Sequence, residues 1–107
     1  MKVSPLLKLQ VVEILTIVQR IAPGKSVELR IPNYGAIQCV SGSVHRRGTP
    51  SNVVEMSAQT LINLAENPNR WEELCSIGMI SASGNNSNLK ELFIQISKLK
   101  QVSRLEI

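Results

Sequence analysis

The residues best suited to chemistry lie in one short run from His45 to Glu55, which reads HRRGTPSNVVE and contains the only histidine of the chain. A guanidinium group binds a carboxylate or phosphate through two parallel hydrogen bonds, and a histidine adds a donor or a proton. The Gly-Thr-Pro turn places these groups in a loop, where binding residues are often found. The run predicts an anion-binding loop. The structural alternative is that Arg47 pairs with Glu55 or caps loop carbonyls.

The two cysteines do not extend this site to catalysis or to metal binding. Cys39 and Cys75 lie far apart among apolar neighbours, with no Cys-x-x-Cys motif, so the sequence predicts no zinc site. A nucleophilic cysteine needs an adjacent histidine and a third group to orient it, and the spacing of Cys39 and His45 supplies neither. We therefore expect no enzymatic activity, no cofactor and no metal, and two free thiols in a reducing compartment.

Length and charge restrict the classes of protein that remain. With 107 residues the chain has room for one domain, residues 1–107. The net charge of +4 permits an anionic partner, but an aromatic content of 3% argues against base stacking and hence against a nucleic-acid partner. Lys8, Gln10 and Glu13 interrupt the apolar stretch near the start, so we expect neither a signal peptide nor a membrane span, and a cytoplasmic location.

The first third of the chain reads as a helix followed by a hairpin. Ser4 and Pro5 form a helix-start signal, and the apolar residues after them recur at helical spacing: Leu7, Val11, Ile14, Leu15, Val18 and Ile21. Residues 27–31 alternate apolar and polar side chains, as in a half-buried strand. Pro32-Asn33 suits a tight turn, and residues 35–40 then predict the returning strand.

The remaining two thirds alternate strands and helices. We predict a short strand at Val44-His45, a strand over residues 52–56, a helix over 58–66 capped by Ser57, and a second helical segment from Pro68 to about Ile77. Residues 79–83 predict the last strand. Ser87 or Asn88 caps a final helix whose apolar positions are Leu89, Leu92, Phe93, Ile96 and Leu99. This order favours an α+β fold: a small mixed β-sheet with helices packed mainly on one face.

Several segments of this pattern are similar to one known family. The matching segments are residues 26–32, residues 36–40, the run from His45 to Glu55, Trp71, and residues 78–84. Together they resemble the bacterial sterol carrier protein-like family, and within it the small single-domain actinobacterial branch. The resemblance covers about four-fifths of the chain counting the flanking helices. The sequence departs from the branch at Ser43-Val44, where Gly-Pro is usual, and at Ser51, where a second proline is usual.

The resemblance implies a sheet and helices that enclose an apolar cavity. Small residues in the strands are compatible with such a cavity: Gly35, Ala36, Ser81 and Ala82. We therefore predict a non-enzymatic protein that binds a small apolar or lipid-like ligand, with the polar end of the ligand facing the His45–Glu55 loop. The candidate ligand-binding residues are His45, Arg47, Thr49, Asn52 and Trp71. Trp71 has a structural alternative as a core residue.

Two alternative functions remain open from the sequence. One is an interaction or accessory module that docks a partner or forms a homodimer without a lipid ligand. The other is an enzyme-associated domain that holds an acidic substrate through the Arg47 loop. The wider sterol carrier superfamily includes both lipid carriers and accessory domains fused to enzymes, so the resemblance is compatible with each.

Overall fold

The computed structural model describes the backbone of residues 3–105 and the side chains of residues 3–99. The elements in chain order are α1 (Pro5–Ile21), β1 (Val27–Ile31), β2 (Gly35–Cys39), β3 (Asn52–Met56), α2 (Ala58–Glu66), a 3-10 helix (Pro68–Arg70), α3 (Trp71–Ser76), β4 (Ile80–Ser83) and α4 (Lys90–Leu105). The predicted helices and the four main strands are confirmed. The Lys- and Arg-rich tail from Lys98 to Arg104, whose charge suits the C-terminus of a helix, falls largely outside the described side chains.

Side-chain caps determine where the first two helices begin. The Ser4 hydroxyl accepts a hydrogen bond from the backbone N–H of Leu7 at 3.3 Å, with Pro5 at the first helical position. Ser57 does the same for the N–H of Thr60 at 3.1 Å. These bonds satisfy amides that have no partner within the helix. Both starts therefore follow from local sequence.

The β1–β2 hairpin depends on its turn. Asn33 has φ of 70°, a left-handed conformation that asparagine tolerates better than most residues. The strands then pair antiparallel from Val27 opposite Cys39 to Ile31 opposite Gly35. The predicted hairpin is confirmed, including the turn at Pro32-Asn33.

The sheet is mixed, with the strand order β2-β1-β3-β4. β1 and β3 are parallel, with Val27 beside Asn52 and Leu29 beside Val54. β3 and β4 are antiparallel. Because β1 and β3 run in the same direction, the loop at residues 40–51 must cross from β2 to the far side of β1. This loop contains the Arg-Arg sequence and delivers the chain to the start of β3.

Helices cover one face of this sheet and leave the other open. Leu29, Ile31 and Val54 are fully buried on the helical side, whereas Arg30 and Glu55, which alternate with them, are exposed on the outer face. The buried strand residues meet the buried faces of α1, α2 and α4 in one hydrophobic core. The predicted α+β architecture is confirmed.

Three smaller predictions are wrong. Val44 and His45 do not form a strand, because only one isolated bridge, between Val44 and Pro50, ties this loop together. Leu99 is 52% exposed, so the buried face of α4 ends before it. Ala36 and Ser81 pair with Arg30 and Glu55, respectively, on the outer face. Their small side chains therefore cannot create space between the helices and the sheet.

Candidate functional site

The His45–Pro50 segment forms an exposed turn at the end of the sheet where β3 begins. The backbone N–H of His45 donates to the Thr49 carbonyl at 2.9 Å, and that of Gly48 donates to the His45 carbonyl at 2.8 Å. His45, Arg47 and Thr49 are all exposed. Within residues 3–99, none of their side chains makes a hydrogen bond or an ion pair. The turn thus presents two guanidinium groups and an imidazole to solvent.

The predicted pairing of Arg47 with Glu55 is wrong. The ion pairs among the described side chains join Arg30 with Glu28, Arg70 with Glu73 and Lys90 with Glu72. Glu55 lies three positions along β3 from its first residue, Asn52. A strand advances about 3.3 Å per residue, so Glu55 is carried roughly 10 Å away from the loop that precedes Asn52.

Asn52 is a buried structural node at the start of β3. Its side-chain N–H groups donate to the Ser26 carbonyl at 2.9 Å and to the Ser26 hydroxyl at 3.1 Å, and its side-chain oxygen accepts from the N–H of Asn86 at 2.9 Å. Only 3% of Asn52 is exposed. The side chain therefore joins three segments that are distant in sequence: the approach to β1, the start of β3, and the loop after β4.

Trp71 opens α3 and belongs to the core, with 4% of its surface exposed. The structure thus brings His45, Arg47 and Thr49 together in one exposed turn. Asn52 directs its amide into the protein, and Trp71 packs among core side chains. A ligand-binding role for these five residues stays a prediction.

A groove lies at the opposite end of the sheet, and sequence reasoning missed it. Its volume is about 400 Å³, within the common range for small-molecule sites. The residues around it are Leu7, Pro32, Asn33, Tyr34, Glu55, Met56, Ser57, Ala58, Gln59, Gly78, Met79 and Ser81. They come from α1, the β1–β2 turn, the end of β3, the start of α2 and the approach to β4. The parallel strands β1 and β3 both end at this groove.

The groove combines apolar walls with a polar rim. Leu7 and Met79 supply apolar side chains that solvent reaches, and Met79 is 49% exposed, whereas Met56 is 3% exposed and belongs to the core. Ser57 caps α2 and Gln59 lies on its first turn, which carries no acidic residue. No single sequence motif marks this set, because its members come together only when β3 docks beside β1. The one local signal was Ser57, which was assigned as a helix cap.

The surroundings of both cysteines disfavour the thiolate form. Burial raises the pKa of the Cys39 thiol to about 11. Burial, and secondarily the charge of Glu72, raises the pKa of the Cys75 thiol. A raised pKa removes the thiolate that a nucleophilic cysteine needs at neutral pH. Both thiols are free, and Cys39 is buried while Cys75 is half-buried.

We expect the two thiols to differ in reactivity with a disulfide reagent such as Ellman's reagent. In the native protein at neutral pH, Cys75 reacts slowly and Cys39 does not react, and both react in denaturant. Rapid labelling of Cys39 in native protein, mapped by mass spectrometry, would contradict this placement.

The raised pKa of Cys39 also makes the stability of the fold depend on pH. The stabilisation is fully present below the unfolded pKa near 9 and is lost as the pH rises towards 11.

Arg47→Ala should leave the fold unaffected. The Arg47 side chain is exposed and makes no ion pair among the described residues, so we expect the free energy of unfolding to change by less than about 0.5 kcal/mol. Urea denaturation followed by circular dichroism measures this change. A loss of more than about 1 kcal/mol would instead support the structural role that the sequence left open.

Metal binding and membrane insertion have no visible basis in the described part of the chain. Among residues 3–99, no three His, Cys, Asp or Glu side chains come together as metal ligands would. None of the described helices has the length and apolarity to cross a membrane.

These features define an α+β domain in which helices cover one face of a four-stranded mixed sheet and an apolar groove opens at the end of that sheet. The family described as "Bacterial SCP ortholog" matches residues 5–94, which is most of the chain. The protein therefore belongs to the bacterial sterol carrier protein-like family, as the sequence resemblance indicated. No curated protein matches this sequence.

Proposed function

We propose that this protein is a non-enzymatic binding protein for a small apolar or lipid-like ligand, and that the groove at the ends of β1 and β3 is the binding site. The observation that carries the proposal is the apolar wall of Leu7 and Met79, with the core residue Met56 behind it, around a space of about 400 Å³. Family membership supports it, because carriers of apolar molecules are known in this superfamily.

The residues around the groove suit a ligand with an apolar body and a polar end. Methionine side chains adapt to irregular apolar shapes because they are unbranched and polarizable. The rim offers the Gln59 amide on the first turn of α2. The Ser57 hydroxyl, which accepts from the N–H of Thr60 and donates to the Thr60 hydroxyl, keeps one lone pair that can accept from a ligand. A ligand's apolar body would lie on Met79 and Leu7, while its polar end would stay near these groups and solvent.

The groove changes the orientation that the sequence favoured for the ligand. The predicted arrangement placed the polar end at the His45–Glu55 loop. That loop lies where β3 begins, whereas Met56 of the groove lies where β3 ends. Of the run, only Glu55 reaches the groove. The proposal therefore places the polar end at Ser57 and Gln59 rather than at Arg47.

Co-purification tests this proposal without assuming the identity of the ligand. The full chain is purified without detergent and analysed by native mass spectrometry, and a solvent extract is analysed for lipids. The expected result is an adduct of defined mass that is lost on extraction. The same protein is then titrated with cis-parinarate, a fluorescent fatty acid. If no adduct forms and the fluorescence does not saturate, the proposal is wrong.

A further inference from the structure

A second, open recess lies beside the groove at the same end of the sheet, towards the outer face. We call it the outer recess, and its volume is about 520 Å³. Four residues line both the groove and the outer recess: Pro32, Asn33, Tyr34 and Glu55. The apolar residues Leu7 and Met79 line only the groove, whereas Lys8 and Arg30 line only the outer recess. An apolar space and a charged space therefore meet at Glu55.

The outer recess holds an anion and a cation that do not pair with each other. Glu55 lies beside Arg30 in the parallel register of β3 and β1. The Arg30 guanidinium, however, binds the Glu28 carboxylate on its own strand through Nε at 3.0 Å and Nη2 at 2.9 Å. The Lys8 ammonium donates to the Tyr34 carbonyl at 2.8 Å. Among the described side chains, neither Lys8 nor Glu55 forms an ion pair.

Both charges keep hydrogen-bonding capacity for a ligand. An ammonium has three N–H donors, and the carbonyl contact of Lys8 uses one of them while fixing the position of the charge. Glu55 is exposed, and its carboxylate oxygens are acceptors without a cation beside them. Because Arg30 and Glu28 neutralise each other, the outer recess presents one positive and one negative charge. Its electrostatic complement is a group that carries both signs.

We infer that the outer recess binds the head of a zwitterionic amphiphile, whose cation faces Glu55 and whose anion faces Lys8. The inference rests on the proposed function, because the apolar body of the same ligand lies in the groove. Glu55 precedes Ser57 by two residues, so a head that is longer than a carboxylate extends from the Ser57 end of the groove into the outer recess.

The two charges also determine how heads of a single charge bind. An anionic head is attracted by Lys8 but repelled by Glu55, and the opposite holds for a cationic head. Each of these contacts is exposed to solvent, where an ion pair contributes little. The preference for a zwitterion over either single charge is therefore about threefold to tenfold. A fatty acid still binds through its apolar chain, but it gains only one of the two contacts.

Three amphiphiles with the same decyl chain test this preference in the full chain. Decylphosphocholine is zwitterionic, decyl sulfate is anionic and decyltrimethylammonium is cationic. Each is titrated below its micelle concentration, and calorimetry measures the dissociation constant. We expect decylphosphocholine to bind about threefold to tenfold more tightly than either of the others. Free phosphocholine, which has no chain, should bind at least about tenfold more weakly than decylphosphocholine, because it gains no apolar contact in the groove.

Charge-removing variants assign each half of the head to its residue. Glu55→Gln should weaken decylphosphocholine about threefold and also weaken decyltrimethylammonium, but not decyl sulfate. Lys8→Gln should weaken decylphosphocholine and decyl sulfate, but not decyltrimethylammonium. Glu66→Gln and Lys25→Gln are the matched controls, because both residues are exposed and line neither space. These controls should leave all three dissociation constants unchanged. Circular dichroism checks that each variant is folded.

The outcomes separate this inference from the proposed function. Equal affinity for all three heads would overturn the inference and leave the proposed function intact, because the shared chain still binds. The absence of binding by any of the three would overturn both. If Glu55→Gln and Lys8→Gln change binding no more than the controls do, the outer recess does not hold the head. Equal binding of free phosphocholine and decylphosphocholine would overturn the claim that groove and outer recess form one site.

Discussion

Asn52→Ala should lower the free energy of unfolding by about 3–4 kcal/mol. The substitution removes two donors to Ser26 and leaves the N–H of Asn86 without its acceptor. Each of the three lost hydrogen bonds costs about 1 kcal/mol, and the buried Ser26 hydroxyl, which loses its donor, adds to this cost. Asn52 and Ser26 are both buried, so water cannot replace these bonds at low cost. Urea denaturation followed by circular dichroism measures the change.

Asn85→Ala is the matched control, because Asn85 lies in the neighbouring loop but is exposed. It should change stability by less than about 0.5 kcal/mol. If Asn52→Ala costs no more than this control, Asn52 is not the structural node described above. In that case a loss of ligand binding without a loss of stability would support its predicted role as a ligand contact.

A glycine pair provides an independent test of the same node. A Cβ atom on Gly84 would overlap the side-chain oxygen of Asn52 and crowd the Ser51 carbonyl, whereas one on Gly78 would meet nothing within 4 Å. Both glycines have positive φ, 106° and 81°, respectively. Gly78→Ala therefore measures the backbone cost alone, about 1–2 kcal/mol. Gly84→Ala should cost at least about 1 kcal/mol more, because it also displaces the Asn52 side chain.

Met79→Asp should weaken binding of cis-parinarate at least tenfold. Met79 lines the groove and is 49% exposed, so its replacement removes apolar contact area without opening the core. A carboxylate in an apolar wall also loses hydration when a ligand covers it, which adds to the loss. A tenfold change in the dissociation constant corresponds to about 1.4 kcal/mol, which is less than the free energy gained by fully burying one methionine side chain. Fluorescence titration measures the dissociation constant.

Leu99→Asp is the control for this variant. Leu99 is 52% exposed, close to the value for Met79, but it lies on α4 in a separate recess beside Ile21. The same change in charge and apolar area should leave cis-parinarate binding unchanged. Equal weakening by both variants would mean that the fatty acid binds nonspecifically to apolar surface, and weakening by Leu99→Asp alone would move the site to α4.

Local signals account for the parts of the fold that the sequence predicted well. Ser4-Pro5 and Ser57 start helices through bonds to amides a few residues away, and Pro32-Asn33 sets a turn through its own dihedral angles. Such features depend on neighbours along the chain and can be read from it. The alternation within residues 27–31 likewise gave the correct buried face.

The parallel pairing of β1 with β3 has no local signature, and the features that depend on it were missed. The groove forms only where Pro32 and Met56 end neighbouring strands. Asn52 follows a polar loop, a position that favours ligand binding, but its hydrogen-bond partners Ser26 and Asn86 lie far away in sequence. The Arg47–Glu55 pair was inferred from sequence proximity, which an extended strand does not preserve.

The His45–Glu55 run contributes differently to identification and to function. As a continuous motif it helped to indicate the family, and that assignment is now shown by the match over residues 5–94. In the structure it is divided between an exposed turn, a buried node at Asn52, and the single groove residue Glu55. Its members therefore lie in three different environments, and a ligand-binding role for them stays a prediction.

Chemical-shift mapping with oleate is the most direct test of the central claim, which is that an apolar ligand binds in the groove at the ends of β1 and β3. The isotope-labelled full chain is titrated with oleate below its micelle concentration. We predict saturable shifts that are largest at Leu7, Tyr34, Met56, Ala58 and Met79, with the His45–Pro50 turn little changed. Saturable shifts centred on that turn, or no saturable shifts at all, would contradict the claim.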